Sequence, residues 1–192
     1  QIDLSNDFRT VLVPFLQVMA EDINSRGQIS MELGFAGPSQ ANIVQQGPIL
    51  PGRFKKVVET IYRDSWLRLD APLIEGSHLL LSIENKFVSH DRHWRNARGK
   101  SKHKVKWAKM AIVTAALRPN PNLADIDASL AADAVVKLKV SSKEKGDMAR
   151  ISRKFKFKSI TEPPADNVSV DDLVQMCFNL SAMLKPASRV AP

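Results

Sequence analysis

From His90 to Lys109 the chain reads H-D-R-H-W-R-N-A-R-G-K-S-K-H-K-V-K-W-A-K. Eight cations (Arg92, Arg95, Arg98, Lys100, Lys102, Lys104, Lys106 and Lys109) stand there against one acid, Asp91. The stretch thus carries +7 of the formal net charge of +8, and the rest of the chain is close to neutral. Like charges at this density repel one another in any folded state, which confines the segment to the surface. The repulsion is relieved when a polyanion docks, either nucleic acid or an acidic membrane, so the locality of the charge is the main functional clue.

The 192 residues suffice for one domain with its own apolar core, and 44% hydrophobic with 25% charged residues is a globular composition. Cys177 is the only cysteine; it has no internal disulfide partner, which suggests a reducing compartment. No apolar run approaches the roughly 20 residues that cross a bilayer, so membrane contact is expected to be peripheral.

Along the chain, Phe8, Val11, Leu12, Phe15, Leu16 and Met19 recur at helical spacing. Pro14 interrupts them and predicts an extended segment followed by a short helix. Ile29, Met31, Leu33 and Phe35 alternate as in a half-buried strand. The Pro-, Gly- and Gln-rich segment from Gly37 to Gly52 reads as a long flexible loop for self-association, with Pro38, Gln45, Gln46, Pro48 and Leu50 as its contact residues. Phe54, Val57, Val58, Ile61 and Tyr62 predict a helix over Phe54 to Asp64. Strands are then expected around Trp66 to Leu69 and Leu79 to Val88, with Asp91 to His103 as a long exposed connection to a further strand through Val105 and Trp107.

Leu123 to Ala134, rich in Ala and Asp, reads as weakly helical. Lys137 and Lys139 alternate with Val136, Leu138 and Val140, and Lys154, Lys156 and Lys158 with Phe155 and Phe157, which predicts a hairpin whose lysines gather on one face. Ser169 and Asp172 resemble a capping box opening a helix with Leu173, Met176, Cys177, Leu180 and Leu184 on its apolar face. The expectation is a single α+β domain, a mainly antiparallel sheet packed by an internal helix and a C-terminal helix. An N-terminal arm and short helix over 1–26, a globular body over 27–186 and a flexible tail over 187–192 complete the expected organisation.

The candidate polyanion-binding residues are Arg92, Arg95, Arg98, Lys100, Lys102, Lys104 and Lys106, joined by Lys137, Lys139, Lys154, Lys156 and Lys158. Trp94 is the candidate for stacking on an unpaired base, whereas Trp107, in an alternating strand, is expected in the core. Arg98 to Lys106 also fits a nuclear import signal. His90 and His93 with Asp91 between them lack a second ligand pair at usable spacing and sit among cations, so no metal site is expected. Cys177, on an apolar helix face, reads as an inert thiol. Asp125, Asp127 and Asp133 do not match a calcium loop, and phosphate-cradling glycine patterns and the serine elbow are missing. No catalytic residues and no cofactor are expected.

The order of these expected elements resembles that of rhabdovirus matrix proteins. The resemblance rests on the alternating strand from Gln28 to Phe35, the helix from Phe54 to Asp64 followed by the tryptophan-bearing Trp66-Leu67-Arg68-Leu69-Asp70, and the helix from Val170 to Leu184. It implies self-association, contact with a ribonucleoprotein and an acidic lipid surface, residence in the virion and host cytoplasm with the nucleus a further site, and no catalysis. The Pro-Pro-x-Tyr motif of many animal-virus members is not matched, since Pro163-Pro164 is followed by Ala165-Asp166. Nor is a lysine-rich N-terminal arm present in this sequence, departures that fit a plant-infecting member.

A matrix-like assembly protein is therefore the first expectation, and a transport protein that coats single-stranded nucleic acid the second. If about six of the cations touch phosphates of a duplex, log affinity plotted against log salt should fall with a slope of about −5. A shallow slope in a salt titration would mean that other residues, or another ligand, are involved.

Overall fold

Alternating burial organises the strands. In β4 (His78–Arg95) the side chains of Leu79, Leu81, Ile83, Asn85, Phe87 and Ser89 are buried, and each intervening one is half-buried. β3 (Lys56–Pro72) and β5 (Ser101–Arg118) flank it, and both pairings are antiparallel. In the computed structural model, which describes residues 6–49, 56–120, 124–126, 139–143, 146–159, 162–165 and 167–186, these strands form the middle of a seven-stranded antiparallel sheet in an α+β domain. β1 (Ser30–Leu33) and β2 (Ile43–Pro48) both pair with the far side of β3, while β8 (Gly146–Ser159) and then β7 (Lys139–Lys143) extend the sheet beyond β5. A two-stranded ladder joins β6 (Ala124–Ile126) to β9 (Leu184–Pro186).

Register places apolar residues in rows across one face. Leu69, Leu81, Ala115 and Ile151 are successive cross-strand partners, as are Ala71, Leu79, Leu117 and Ala149. The fully buried alanines leave room for two helices, α1 (Val13–Met19) and α2 (Val170–Ser181), which contact each other and supply Phe15, Met19, Leu173, Met176 and Leu180 to the same core. α2 is fixed at its start. Ser169 Oγ accepts the Asp172 N–H at 3.1 Å and donates to that residue's carboxylate at 2.8 Å, and Arg153 of β8 reaches the other carboxylate oxygen at 2.8 Å. Ser169 is thus the N-cap read in the sequence, and Leu184, placed on that helix by periodicity, instead begins β9.

Several expectations are corrected. Over its described part the segment expected as a helix from Phe54 to Asp64 is strand β3, so both helices come from outside the sheet's strand run. Val57, Val58, Thr60, Ile61 and Tyr62 are β-branched or aromatic residues that fit a pleated surface better than a helix. Their apolar groups fall on both faces of the strand, which mimicked a helical stripe. A bulge between Ser65 and Leu67 adds Trp66, which is buried in the core, and lets two shorter strands become one. The loop expected from Gly37 to Gly52 contains a 3-10 turn at Gln40–Asn42 and β2, so Gln45, Gln46 and Pro48 are strand residues. Pro48 is accommodated because β2 lies at the sheet margin.

No extended segment precedes α1 from Asn6 on; a π-helical turn over Phe8–Leu12 leads into it, a wider turn that carries the helix through Pro14, which has no N–H to give. Ala124–Ile126 is strand, not helix, held by β9. β1 forms where the alternation placed it, yet Ile29, Met31 and Phe35 are 42%, 42% and 48% exposed, because the strand sits at the margin beyond the helices. With a strand from Lys56 where a helix was expected, the element order that carried the resemblance to matrix proteins is altered.

The packing makes α1 part of the domain core. Phe15→Ala is expected to lower unfolding free energy by about 3–5 kcal/mol, seen as a lower urea midpoint with an unchanged slope. A change within about 0.5 kcal/mol, the range of surface substitutions, would show that α1 does not contribute to the folded unit.

Candidate functional site

The predicted connection from Asp91 to His103 is a hydrogen-bonded hairpin. Pairing between β4 and β5 continues without interruption to Arg95 opposite Ser101, leaving only Asn96 to Lys100 as the turn. Asn96 organises that turn: its side-chain oxygen accepts the N–H groups of Arg98 at 3.1 Å and Lys100 at 2.9 Å, its N–H donates to the Lys100 carbonyl at 3.0 Å, and Gly99 adopts φ 75. With Asn96 bonded to Lys100, the loop proper is Ala97 to Gly99, and a three-residue loop with glycine in the left-handed region is a common hairpin closure. S-K-H-K-V-K, from Ser101 to Lys106, therefore opens a strand in which every second residue is lysine.

Pairing sorts the cations by face. Directly opposed residues project to the same side, so Arg92 shares its face with Lys104, His90 with Lys106, and Trp94 with Lys102. Across the next ladder Ala108, Met110 and Ile112 oppose Lys158, Lys156 and Lys154. One side of the sheet, opposite the helices, thus gathers Arg92, Lys102, Lys104, Lys106, Lys154, Lys156 and Lys158, with Lys86 beside Met110. Arg95 falls on the other side, and Arg98 and Lys100 sit in the exposed turn.

Two adjoining clefts open on this face. A cleft of about 460 Å³ is lined by Val88, His90, Arg92, Lys106 and Lys158, and a second of about 200 Å³ adjoins it through Val88, Ala108 and Lys158 and reaches Lys86, Met110 and Lys156. The floor is apolar and the rim cationic. Among the described residues, no ion pair engages Lys102, Lys104, Lys106, Lys154, Lys156 or Lys158. The described acids on this face pair with other groups: Glu59 meets His90 at 2.8 Å, Asp70 meets His78 at 3.0 Å, Glu32 meets Arg68 at 3.5 Å and Glu84 meets Arg63 at 3.7 Å.

Other expectations are met in part. Phe155 and Phe157 pack against the core while Lys154, Lys156 and Lys158 are exposed, the alternation predicted for β8. The expected hairpin forms between β7 and β8, with a register that sets Lys139 opposite Arg150, while Lys154 to Lys158 lie farther along β8 and neighbour the apolar residues of β5. Lys137 and Leu50 lie outside the described residues. Trp107 is half-buried and outside the core cluster; its ring lies 5.7 Å from that of Tyr62, and it lines the larger cleft. Trp94 is also half-buried, at the outer end of the cationic face. Pro38 is half-buried near the 3-10 turn.

Lys109 belongs to the basic stretch in sequence but not to its surface. Only 3% exposed, it places its ammonium 5.7 Å from the Phe87 ring centroid and 5.6 Å from that of Phe157. Burial raises the pKa of Asp64 above the usual carboxylate value, opposed by the Gly37 N–H and by the charge of Lys109. Burial, and then the charge of Asp22, push the Cys177 thiol up to about 12, so it stays protonated at neutral pH and is no nucleophile.

The clefts, Lys86 and the apolar floor escaped the sequence reading because they depend on which strands are neighbours; period-2 spacing of Lys102, Lys104 and Lys106 was the available signal. Among the described residues, no helix is long and apolar enough to cross a membrane. Comparison of the chain with protein-family models, with curated proteins and with solved structures gives no match.

Proposed function

We propose that the protein is a non-enzymatic, matrix-like assembly protein that binds a polyanion across the cationic sheet face and associates with further copies of itself. The observation that carries this reading is the set Lys102, Lys104, Lys106, Lys154, Lys156 and Lys158, gathered on one side of the sheet and engaged in no ion pair among the described residues. Side chains on one face of a strand repeat about every 6.8 Å, a spacing comparable with that of phosphates along an extended single strand. Successive lysines then meet successive phosphates, Arg92 adds paired donors, and a base rests on the floor of Val88, Ala108 and Met110. Trp94 offers a stacking surface at the end of the same row, an interaction worth about 1–3 kcal/mol per base.

RNA, free or within a ribonucleoprotein, is the ligand this arrangement favours. An acidic bilayer would meet the same lysines peripherally but leave the floor of the clefts unfilled. Coating of single strands for transport, without a lipid role, is the second reading, and the row spacing favours it as well. Self-association is assigned to the margin formed by β2, where Gln45, Gln46 and Pro48 lie, Val44 and Ile49 are exposed, and no second described strand covers the outer side. Residence in the virion and host cytoplasm, with nuclear entry through the Arg98 to Lys106 segment, belongs to the same proposal.

Anisotropy with a single-stranded RNA and co-sedimentation with anionic vesicles, each from about 50 to 200 mM salt, test the reading. Lys104→Glu, Lys106→Glu and Lys156→Glu together should reduce RNA affinity more than tenfold and shrink the salt slope by about 3, roughly one for each lysine–phosphate pair removed. The thermal midpoint should stay within a few degrees, as for exposed charges. Undiminished RNA binding by this variant would refute the assignment; binding of RNA with no vesicle retention would select the second reading.

A further inference from the structure

The hairpin that carries the lysines on one face presents a different set on the other. Asp91 and His93 are two residues apart on β4 and therefore project to the same side, and His103 on β5 is the direct cross-strand partner of His93. Both imidazoles turn Nε2 toward one carboxylate oxygen, Asp91 Oδ1, at 3.0 Å from His93 and 2.6 Å from His103. The two rings lie 4.6 Å apart at 30°, and the three ligand atoms fall within 4.8 Å of one another. We infer that Asp91, His93 and His103 form a binding site for a divalent transition metal, of which zinc is the representative ion.

The donor set selects the ion. Two imidazole nitrogens and one carboxylate suit zinc, nickel or copper, whereas magnesium and calcium take oxygen ligands. With metal–ligand bonds of about 2.0–2.2 Å, tetrahedral geometry separates ligand atoms by roughly 3.3–3.5 Å, so the present nitrogen–oxygen distances need to widen by less than about 1 Å. Rotation of exposed side chains supplies this: those of His93, His103 and Asp91 are 49%, 54% and 40% exposed, which also leaves an approach for the ion. Three protein ligands leave a fourth position for water, an open site.

The basic surroundings oppose a cation less than the sequence implies. Arg92, Lys102 and Lys104 project to the other face, which leaves, among the described strand residues beside the site, Lys56, which pairs with His93, and Arg95, two residues beyond it, on the same side. Those two charges weaken the site relative to a structural zinc centre, and Asp91 offsets part of their effect. A bound ion would join the outer parts of β4 and β5 just before the Asn96 to Lys100 turn.

Calorimetric titration of the untagged, metal-free chain with zinc sulfate provides the test. One zinc should bind per chain, and His93→Gln and His103→Gln should each reduce affinity tenfold or more. His78→Gln, which alters a similar histidine–aspartate pair elsewhere on β4, should leave it unchanged. In heteronuclear spectra zinc should shift the ring resonances of His93 and His103 ahead of those of His78 and His90, a readout that does not depend on either variant folding. No saturable binding, binding undiminished in both variants, or first shifts at His78 or His90 would overturn the assignment.

Discussion

Main-chain pairing between β4 and β5, unbroken from His78 opposite Arg118 to Arg95 opposite Ser101, is the constraint on which the rest depends. Because side chains alternate across a sheet, this one ladder decides which residues reach the helices and which reach the cleft. Leu79, Leu81 and Ile83 go to the core along with Val113, Ala115 and Leu117; the alternate residues, including Arg92, Lys104 and Lys106, go to the opposite side. A slip of one residue would exchange the two sets, placing lysine among leucines. Core packing at one end of the ladder thereby sets the orientation of charges at the other, where few apolar neighbours remain.

The core-side face changes character along its length. Where α1 and α2 lie, it is made of Leu, Ile, Val and Ala; farther along β4 it carries Thr60, Asp64, Asn85, Ser89 and Lys109, all less than one-tenth exposed. Lys109 is tolerated there because two aromatic rings and the Asp64 carboxylate replace part of its hydration shell. Among the described residues, no ion pair engages Lys102, Lys104, Lys106, Lys154, Lys156 or Lys158 on the opposite face, in contrast to buried Lys109.

How much was legible in the residues follows from the range of the interactions involved. Local rules identified α2, since Ser169 and Asp172 signal a helix start without reference to anything distant. They also identified β8, because Lys154, Phe155, Lys156 and Phe157 alternate cleanly. They failed over the described part of the segment expected as a helix, Lys56 to Asp64, where both sides of the strand carry buried or half-buried residues and period 2 is masked by apolar residues at adjacent positions. At Asp91 to His103 charge density concealed the alternation, although Lys102, Lys104 and Lys106 kept it. The approach of His103 to Asp91 and His93, and of Lys106 to the β8 lysines, required the register and the strand order, which composition and spacing do not encode.

The bulge at Trp66 has a further bearing on how the molecule tolerates change. Before it, even-numbered residues of β3 such as Thr60 and Tyr62 point to the helix side; after it, odd-numbered ones such as Leu67 and Leu69 do. The strand is two sequences of opposite parity spliced at a single residue, and Gly34 lies so close to the splice that a Cβ there would sit 2.4 Å from the Ser65 carbonyl oxygen. Substitutions on either side can drift independently, but chain length across the junction cannot, because each half is separately keyed to β4.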